Sequence, residues 1–247
     1  MISVQLYSLR DKTETDFPGV LEALGKLGYQ GVEFAGYGGI PSSEMKSLLD
    51  QNGLVAAGSH VGFDLIRDNL DGVIAYNKTI DNKNIVIPWT KFENEDEFKE
   101  VAGVINAALP KLHENDFELY YHNHSHEFQK DSQGVYWLNR LFAACHGLLA
   151  ELDVCWVKAA GLDPIQYIKE HTEIVKMLHL KNFCKSADGK IALLDIAQGE
   201  VDIAGIVAAA RQLGIENFVV ENDSPRGDSL EDVKVSLDYF KTLSTLN

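Results

Sequence analysis

The sequence predicts a single α/β domain, a (β/α)8 TIM barrel spanning residues 1–247. Short apolar, β-branched runs alternate with stretches of helical periodicity along the whole chain. The runs number eight, spaced about 30 residues apart, as repeated βα units require. No glycine-rich phosphate loop follows the first run, which argues against an open doubly wound sheet. With 45% hydrophobic and 24% charged residues, the composition suits one large core.

The runs are ISVQLY (2–7), GVEF (31–34), LVAAGS (54–59), NIVIPW (84–89), FELYYH (117–122), LLAELD (148–153), VKMLHL (175–180) and NFVVEN (217–222). Helical periodicity is clear in PGVLEALGKLG (18–28), EDEFKEVAGVINAALPKL (95–112) and VDIAGIVAAARQLG (201–214). The junctions KLGYQGVEF and QLGIENFVVE echo each other: each offers a glycine to close a helix in the left-handed conformation, then a strand ending near a glutamate. Between His60 and Asn82 the helix pattern is interrupted by Asp71-Gly72. The stretch from Asn182 to Glu200 is too long for an ordinary connection and is expected to be a loop over the barrel mouth.

Charge and cysteine content narrow the function. With 22 Lys and Arg against 37 Asp and Glu, the formal charge is -15, which repels phosphate backbones and acidic lipid surfaces. Nucleic-acid and membrane partners are therefore not expected. Cys145, Cys155 and Cys184 show no CxxC spacing and read as reduced thiols of a cytoplasmic protein. The opening MISVQLYSLR reads as a strand, and no apolar run reaches the length of a membrane span.

Barrel enzymes place their chemistry at the C-terminal ends of the strands. The last four runs end in YYHNHSHEF (120–128), AELDVCW (150–156), KMLHLKNF (176–183) and FVVENDSP (218–225), which brings His122, Asp153, His179 and Glu221 to that end. A mixed imidazole and carboxylate set suits one divalent metal ion of the Mn or Zn type, whereas an all-oxygen set favours Mg or Ca. Lys181 follows His179 by two residues, and Glu151 precedes Asp153 by two, so strand alternation points each pair to one face. Glu151 reads as a further ligand, a partner that orients the ligands from behind, or a member of a polar layer inside the barrel, the second being favoured.

These signatures, with VQLYSLRD at the start and GYQGVEFAGYGG (28–39), resemble in order those of the sugar phosphate isomerase/epimerase family, the xylose isomerase-like or AP endonuclease family 2 barrels. The resemblance spans nearly the whole chain. It implies a metal held by one residue at each of strands five to eight, commonly Glu, Asp, His and Glu, with Asp153, His179 and Glu221 in the last three places. His122 takes the first place by its position along the strand, with His124 or Glu127 as alternatives. The resemblance also implies contacts to substrate hydroxyls from Glu33 and His60, and pairing into a homodimer. Glu127 and Trp156 join the substrate contacts, the indole as an apolar cover for a sugar ring.

Epimerases of the family use two metal-bound carboxylates as acid and base, and the histidine at strand five breaks that symmetry. Proton transfer then falls to Glu221, His124 and Lys181. The activity implied is isomerisation or epimerisation of a small sugar, sugar phosphate or related keto compound through an enediolate. A lyase or hydratase acting on a keto-sugar or keto-inositol is the alternative. DNA repair chemistry conflicts with the acidic composition, and a barrel that binds a sugar or polyol without turning it over is the non-enzymatic reading. Arg10, Arg67 and Arg226 are within reach of a phosphate, but the absence of a phosphate loop favours an unphosphorylated substrate.

Overall fold

The computed structural model describes residues 1–186 and 188–243. Its barrel strands are β1 (Ile2–Gln5), β2 (Gly31–Ala35), β3 (Val55–His60), β4 (Asn84–Ile87), β5 (Glu118–His122), β6 (Leu149–Asp153), β7 (Val175–Leu180) and β10 (Asn217–Val220). They pair in parallel in that order, and β10 closes onto β1 through the register Ile2–Phe218, Ser3–Val219 and Val4–Val220. The result is a (β/α)8 TIM barrel.

The helices are α1 (Arg10–Leu27), α2 (Ser42–Gln51), α3 (Phe63–Asp68), α4 (Leu70–Thr79), α5 (Glu95–His113), α6 (Trp137–Ala144), α7 (Val154–Ala159), α8 (Pro164–Glu170), α9 (Ile203–Gln212) and α10 (Ser229–Leu243). The echoed junctions have one physical cause. Gly28 and Gly214, at φ 95° and 78°, end α1 and α9 in the left-handed region, where a side chain would be strained.

Three details differ from the sequence reading. The first strand stops at Gln5, because the Gln5 side chain accepts a hydrogen bond from the Tyr7 amide and starts a 3-10 turn over Leu6–Leu9. The break between β3 and β4 falls at Asn69, between α3 and α4, and Asp71 and Gly72 lie within the first turn of α4. The expected mouth loop contains an antiparallel hairpin, β8 (Asn182–Lys185) and β9 (Ile191–Leu194). Its root is tied by the Asn182 carboxamide, which accepts from the Val201 amide and donates to the Val201 and Ile196 carbonyls.

Period-two alternation sorts each strand. On β5, Leu119 and Tyr121 pack outward into the large apolar cluster shared with the helices. Tyr120 turns inward, where it packs with Val86, Met177 and Val219 as an apolar plug. The next inward residues toward the C-terminal end are His122 on β5, Glu151 and Asp153 on β6, His179 on β7 and, just past β10, Glu221. The register sets Glu151 opposite His122 and Asp153 opposite His179. The plug thus supports a polar layer from below.

Asn94 caps α5, its side-chain oxygen accepting from the amides of Asp96 and Glu97. Asn94→Ala is expected to lower unfolding stability by about 1 kcal/mol, and Asn94→Gly by only a few tenths. Urea unfolding checks the difference, and equal losses would show that the side-chain bond is not what stabilises the end.

Candidate metal centre and active site

Two layers of donors stack in the upper barrel. In the lower layer, the Oε2 atoms of Glu33 and Glu151 face the same imidazoles. His179 Nε2 lies 2.6 Å from Glu33 and 3.1 Å from Glu151. His60 Nε2 lies 3.0 Å from Glu33 and 2.8 Å from Glu151. His122 Nδ1 donates to Glu151 at 3.0 Å, and Gln5 Nε2 donates to Glu33 at 2.8 Å. Glu33 fits because the β2–β3 register shifts between Val32 and Glu33, setting it opposite Gly58. A Cβ at Gly58 would lie 2.6 Å from Glu33 Oε1.

Carboxylates accept only, so the nitrogens facing them carry the protons. That leaves His122 Nε2 directed to the upper layer with its lone pair available. His179 instead faces carboxylates through both nitrogens, and against the effect of burial Glu151 and Glu33 hold its ring well above the ordinary imidazole range. In the upper layer, His179 Nδ1 is 2.8 Å from Glu221 Oε2, and His122 Nε2 is 3.7 Å from Asp153 Oδ2. His122, Asp153, His179 and Glu221 are all buried and each offers an atom within 4.8 Å of the others, a set that can hold a metal ion. His60, His122, Glu151 and His179 satisfy the same distance test. That lower set would have to use His60 Nε2, His122 Nδ1 and His179 Nε2, which face Glu33 and Glu151, whereas the upper set draws on the opposite ring nitrogens and is the better ligand set.

Asp153 supports that choice. Its Oδ1 caps α7 by accepting from the amides of Cys155 and Trp156 at 2.9 and 3.1 Å. Its Oδ2 is buried and makes no hydrogen bond among the described residues, an acceptor that takes a cation instead, here an ion pair with an ammonium. Lys181 lies beside it, its Nζ 3.1 Å from Asp153 Oδ2, 2.9 Å from Glu221 Oε2 and 3.0 Å from Asp223 Oδ1.

Burial and pairing set the charges. Burial pushes the His122 imidazole well down, aided by the neighbouring His179. Burial also opposes charge on His60, but Glu33 and Glu151 outweigh it and raise that ring to about 10. Burial and the nearby Glu33 charge raise the Glu151 carboxyl. Burial likewise works against the Lys181 ammonium, yet Asp153, Glu221 and Asp223 raise it well above the usual lysine range. His124 is pushed down to about 3, mainly by burial and then by Lys181, so its ring is neutral at physiological pH.

Above the polar layer opens a cavity of about 450 Å³ lined by Tyr7, Ala35, His60, Pro88, Trp89, His122, His124, Lys181, Glu221 and Asp223. No protein-family model and no curated protein matches the chain. Solved structures do. A sugar phosphate isomerase/epimerase from Parabacteroides distasonis shares 23% identity at a TM-score of 0.82, covering 97% of this chain and 93% of that one. A probable 3-DHS dehydratase from Bacillus anthracis shares 13% identity at 0.77, covering 97% and 98%. An AP endonuclease, family 2 protein from Brucella melitensis shares 15% at 0.77, covering 98% of each chain. The chain has the fold of the sugar phosphate isomerase/epimerase barrels.

The structure gathers His60, His122, His124, Lys181 and Glu221 around one cavity, with Asp153 and His179 buried beside them. Glu33 lies below the cavity rather than on its wall. Glu127 is fully buried, accepting from the Tyr121 hydroxyl and from the His124 amide, and so fixes the loop that carries His124. Trp156 stands behind His124 with ring centroids 5.8 Å apart. Among the guanidinium groups, Arg10 donates to the Tyr7 and Asp223 carbonyls and Arg67 pairs with Asp64 and Asp68. Cys145, Cys155 and Cys184 are free thiols, and no helix among the described residues is long and apolar enough to cross a membrane.

Sequence reasoning missed Tyr7, Trp89 and Asp223 as wall residues. Trp89 is 52% exposed directly after the fourth strand, and Asp223 follows Glu221 by two, so both sat at strand ends that invited notice.

The raised His60 value fixes a stability window. A ring whose folded pKa is about 10 and whose unfolded value is about 6.5 contributes fully below the latter, and the contribution is lost as pH rises through the former. The chelator-treated protein is expected to lose melting temperature from pH 7 toward 10, with a shallower slope for His60→Gln. Parallel profiles would show that Glu33 and Glu151 do not hold the charge.

Proposed function

We propose that the chain is an enzyme that holds one divalent metal ion, Mn or Zn, on His122, Asp153, His179 and Glu221, and isomerises or epimerises a small unphosphorylated sugar or related keto compound. The observation that carries this reading is the buried four-residue donor set, with an Asp153 oxygen that makes no hydrogen bond among the described residues, next to a cavity lined by His124, Lys181 and Asp223. A bound divalent ion supplies Lewis acidity toward substrate oxygens.

The chain's own groups do the rest. The cavity of about 450 Å³ admits a monosaccharide-sized ligand. Trp89 and Tyr7 offer apolar faces to the C–H side of a ring. Neutral His124 accepts the proton from a carbon next to a carbonyl, and the C–H electron pair moves into the new C=C bond. The carbonyl oxygen, which takes up the displaced pair, accepts a hydrogen bond from the Lys181 ammonium. When that carbon bears a hydroxyl, return of the proton to the former carbonyl carbon completes an isomerisation, the hydroxyl proton passing to the enolate oxygen so that the first carbon becomes the carbonyl. Return to the opposite face of the first carbon completes an epimerisation. Asp223, which burial and the Glu221 charge push up to about 7, holds Lys181 at the wall through both carboxylate oxygens at 3.0 Å.

A second reading, a lyase or hydratase of a keto-sugar or keto-inositol, is favoured by the inequality of the proton-transfer groups. An imidazole and an ammonium line the cavity beside Glu221 and Asp223, so its proton-transfer groups are not confined to a matched pair of carboxylates. The same deprotonation followed by departure of a β-hydroxyl, protonated by Lys181, eliminates water. The shared fold of the Bacillus anthracis dehydratase is compatible with it.

Elemental analysis is expected to find about one divalent metal per chain in the wild type and none in the Asp153→Ala, His179→Ala double variant. The Mn-loaded enzyme should carry solvent deuterium into a carbon position of a ketose or keto-inositol by NMR, with His124→Asn slower by about 10²- to 10⁴-fold. An isomeric product supports the leading reading and a dehydrated one the second. A wild type that takes up no metal would sink both.

A further inference from the structure

Lys181 is 1% exposed, one of the largest fully buried side chains. Its Nζ touches three carboxylates from inside the barrel: Asp153 at 3.1 Å, Glu221 at 2.9 Å and both oxygens of Asp223 at 3.0 Å. The first two belong to the four-residue donor set and the third does not. The oxygens it engages, Asp153 Oδ2 and Glu221 Oε2, are the ones that face His122 Nε2 and His179 Nδ1. A divalent ion held by that set would need the same two carboxylates, next to a like charge only a few ångströms away.

We propose that Lys181 is a tethered counter-cation that competes with the divalent metal for Asp153 and Glu221, and that Asp223 holds its ammonium once the metal takes those two carboxylates. The inference rests on reading the four-residue set as the metal site. Without metal, the ammonium keeps two buried carboxylates from repelling each other, so the ligands stay assembled. With metal, both hydrogen bonds to Asp223 remain to the ammonium, and it stays on the cavity wall, where Lys181 and Asp223 both stand. The metal site therefore contains its own displaceable cation, and metal affinity is set by a contest inside the protein.

Calorimetric titration of Mn into chelator-stripped wild type, Lys181→Met, Asp223→Asn and the double variant tests this. Lys181→Met is expected to bind Mn at least ten-fold more tightly, while its stripped form melts at a lower temperature than stripped wild type. Asp223→Asn is expected to bind several-fold more weakly, because the ammonium then falls back on Asp153 and Glu221. The decisive comparison is the double variant, which should match Lys181→Met, since Asp223 acts only through the lysine. A general electrostatic effect would instead weaken the double variant by the same factor as Asp223→Asn alone, and that result overturns the proposal, as does Lys181→Met binding no tighter than wild type. If Lys181→Met does not fold without metal, Lys181→Gln purified with Mn and titrated against a competing chelator gives the same comparison. Should the wild type and every variant bind no Mn, the four-residue metal reading itself fails; should all bind equally, only the competition does.

Discussion

Compensation of buried negative charge governs the upper half of this barrel. Glu33, Glu151, Asp153 and Glu221 are buried, Asp223 is partly so, and they converge on His60, His122, His179 and Lys181. Removing one partner from such a group leaves an uncompensated charge at a cost of about 3–5 kcal/mol. Each acid therefore has a base or an ammonium close by, yet Glu33 Oε1, Glu151 Oε1 and Asp153 Oδ2 make no hydrogen bond among the described residues, and Asp153 Oδ2 has the Lys181 ammonium 3.1 Å away. The apolar plug of Val86, Tyr120, Met177 and Val219 closes the barrel beneath them, which raises the penalty for any imbalance and strengthens the pairings that exist.

The layering also assigns labour among chemically identical groups. Four histidines, His60, His122, His124 and His179, each have a ring centroid within 5.1 Å of another's, yet they are not equivalent. His60 is held charged between two glutamates, His122 is fixed in one tautomer by Glu151, and His124 is left neutral at the cavity wall. Position along the strand relative to the carboxylate layer decides which of them can bind a metal, which can accept a proton and which only anchors the layer.

Much of this was legible in the residues. Eight apolar runs alternating with helices can close in few ways, and the structure closes them into the barrel. Polar residues that end apolar strands must face either solvent or one another, which is why His122, Asp153, His179 and Glu221 could be picked out before their distances were known. What stayed hidden depends on contacts across the barrel. Glu33 on β2 meets His179 on β7 only because closure brings them face to face, and no spacing along the chain encodes that. The same holds for Lys181 and its third carboxylate. Glu127 follows His126 in HNHSHEF, and no spacing along the chain showed that the turn after β5 brings it under the loop toward Tyr121. The hairpin after β7 was hidden because its strands are short and only partly buried.

Asp153 spends its two oxygens on different tasks, one on the first amides of α7 and the other on the centre. Few side chains can do both at once. Asparagine keeps an oxygen for the helix but offers the centre an amide hydrogen, and glutamate places its carboxylate one methylene too far from the helix to cap it in the same way. The start of a helix and one donor of the buried cluster thus rest on one side chain, so a substitution chosen to change the cluster also removes the cap of α7.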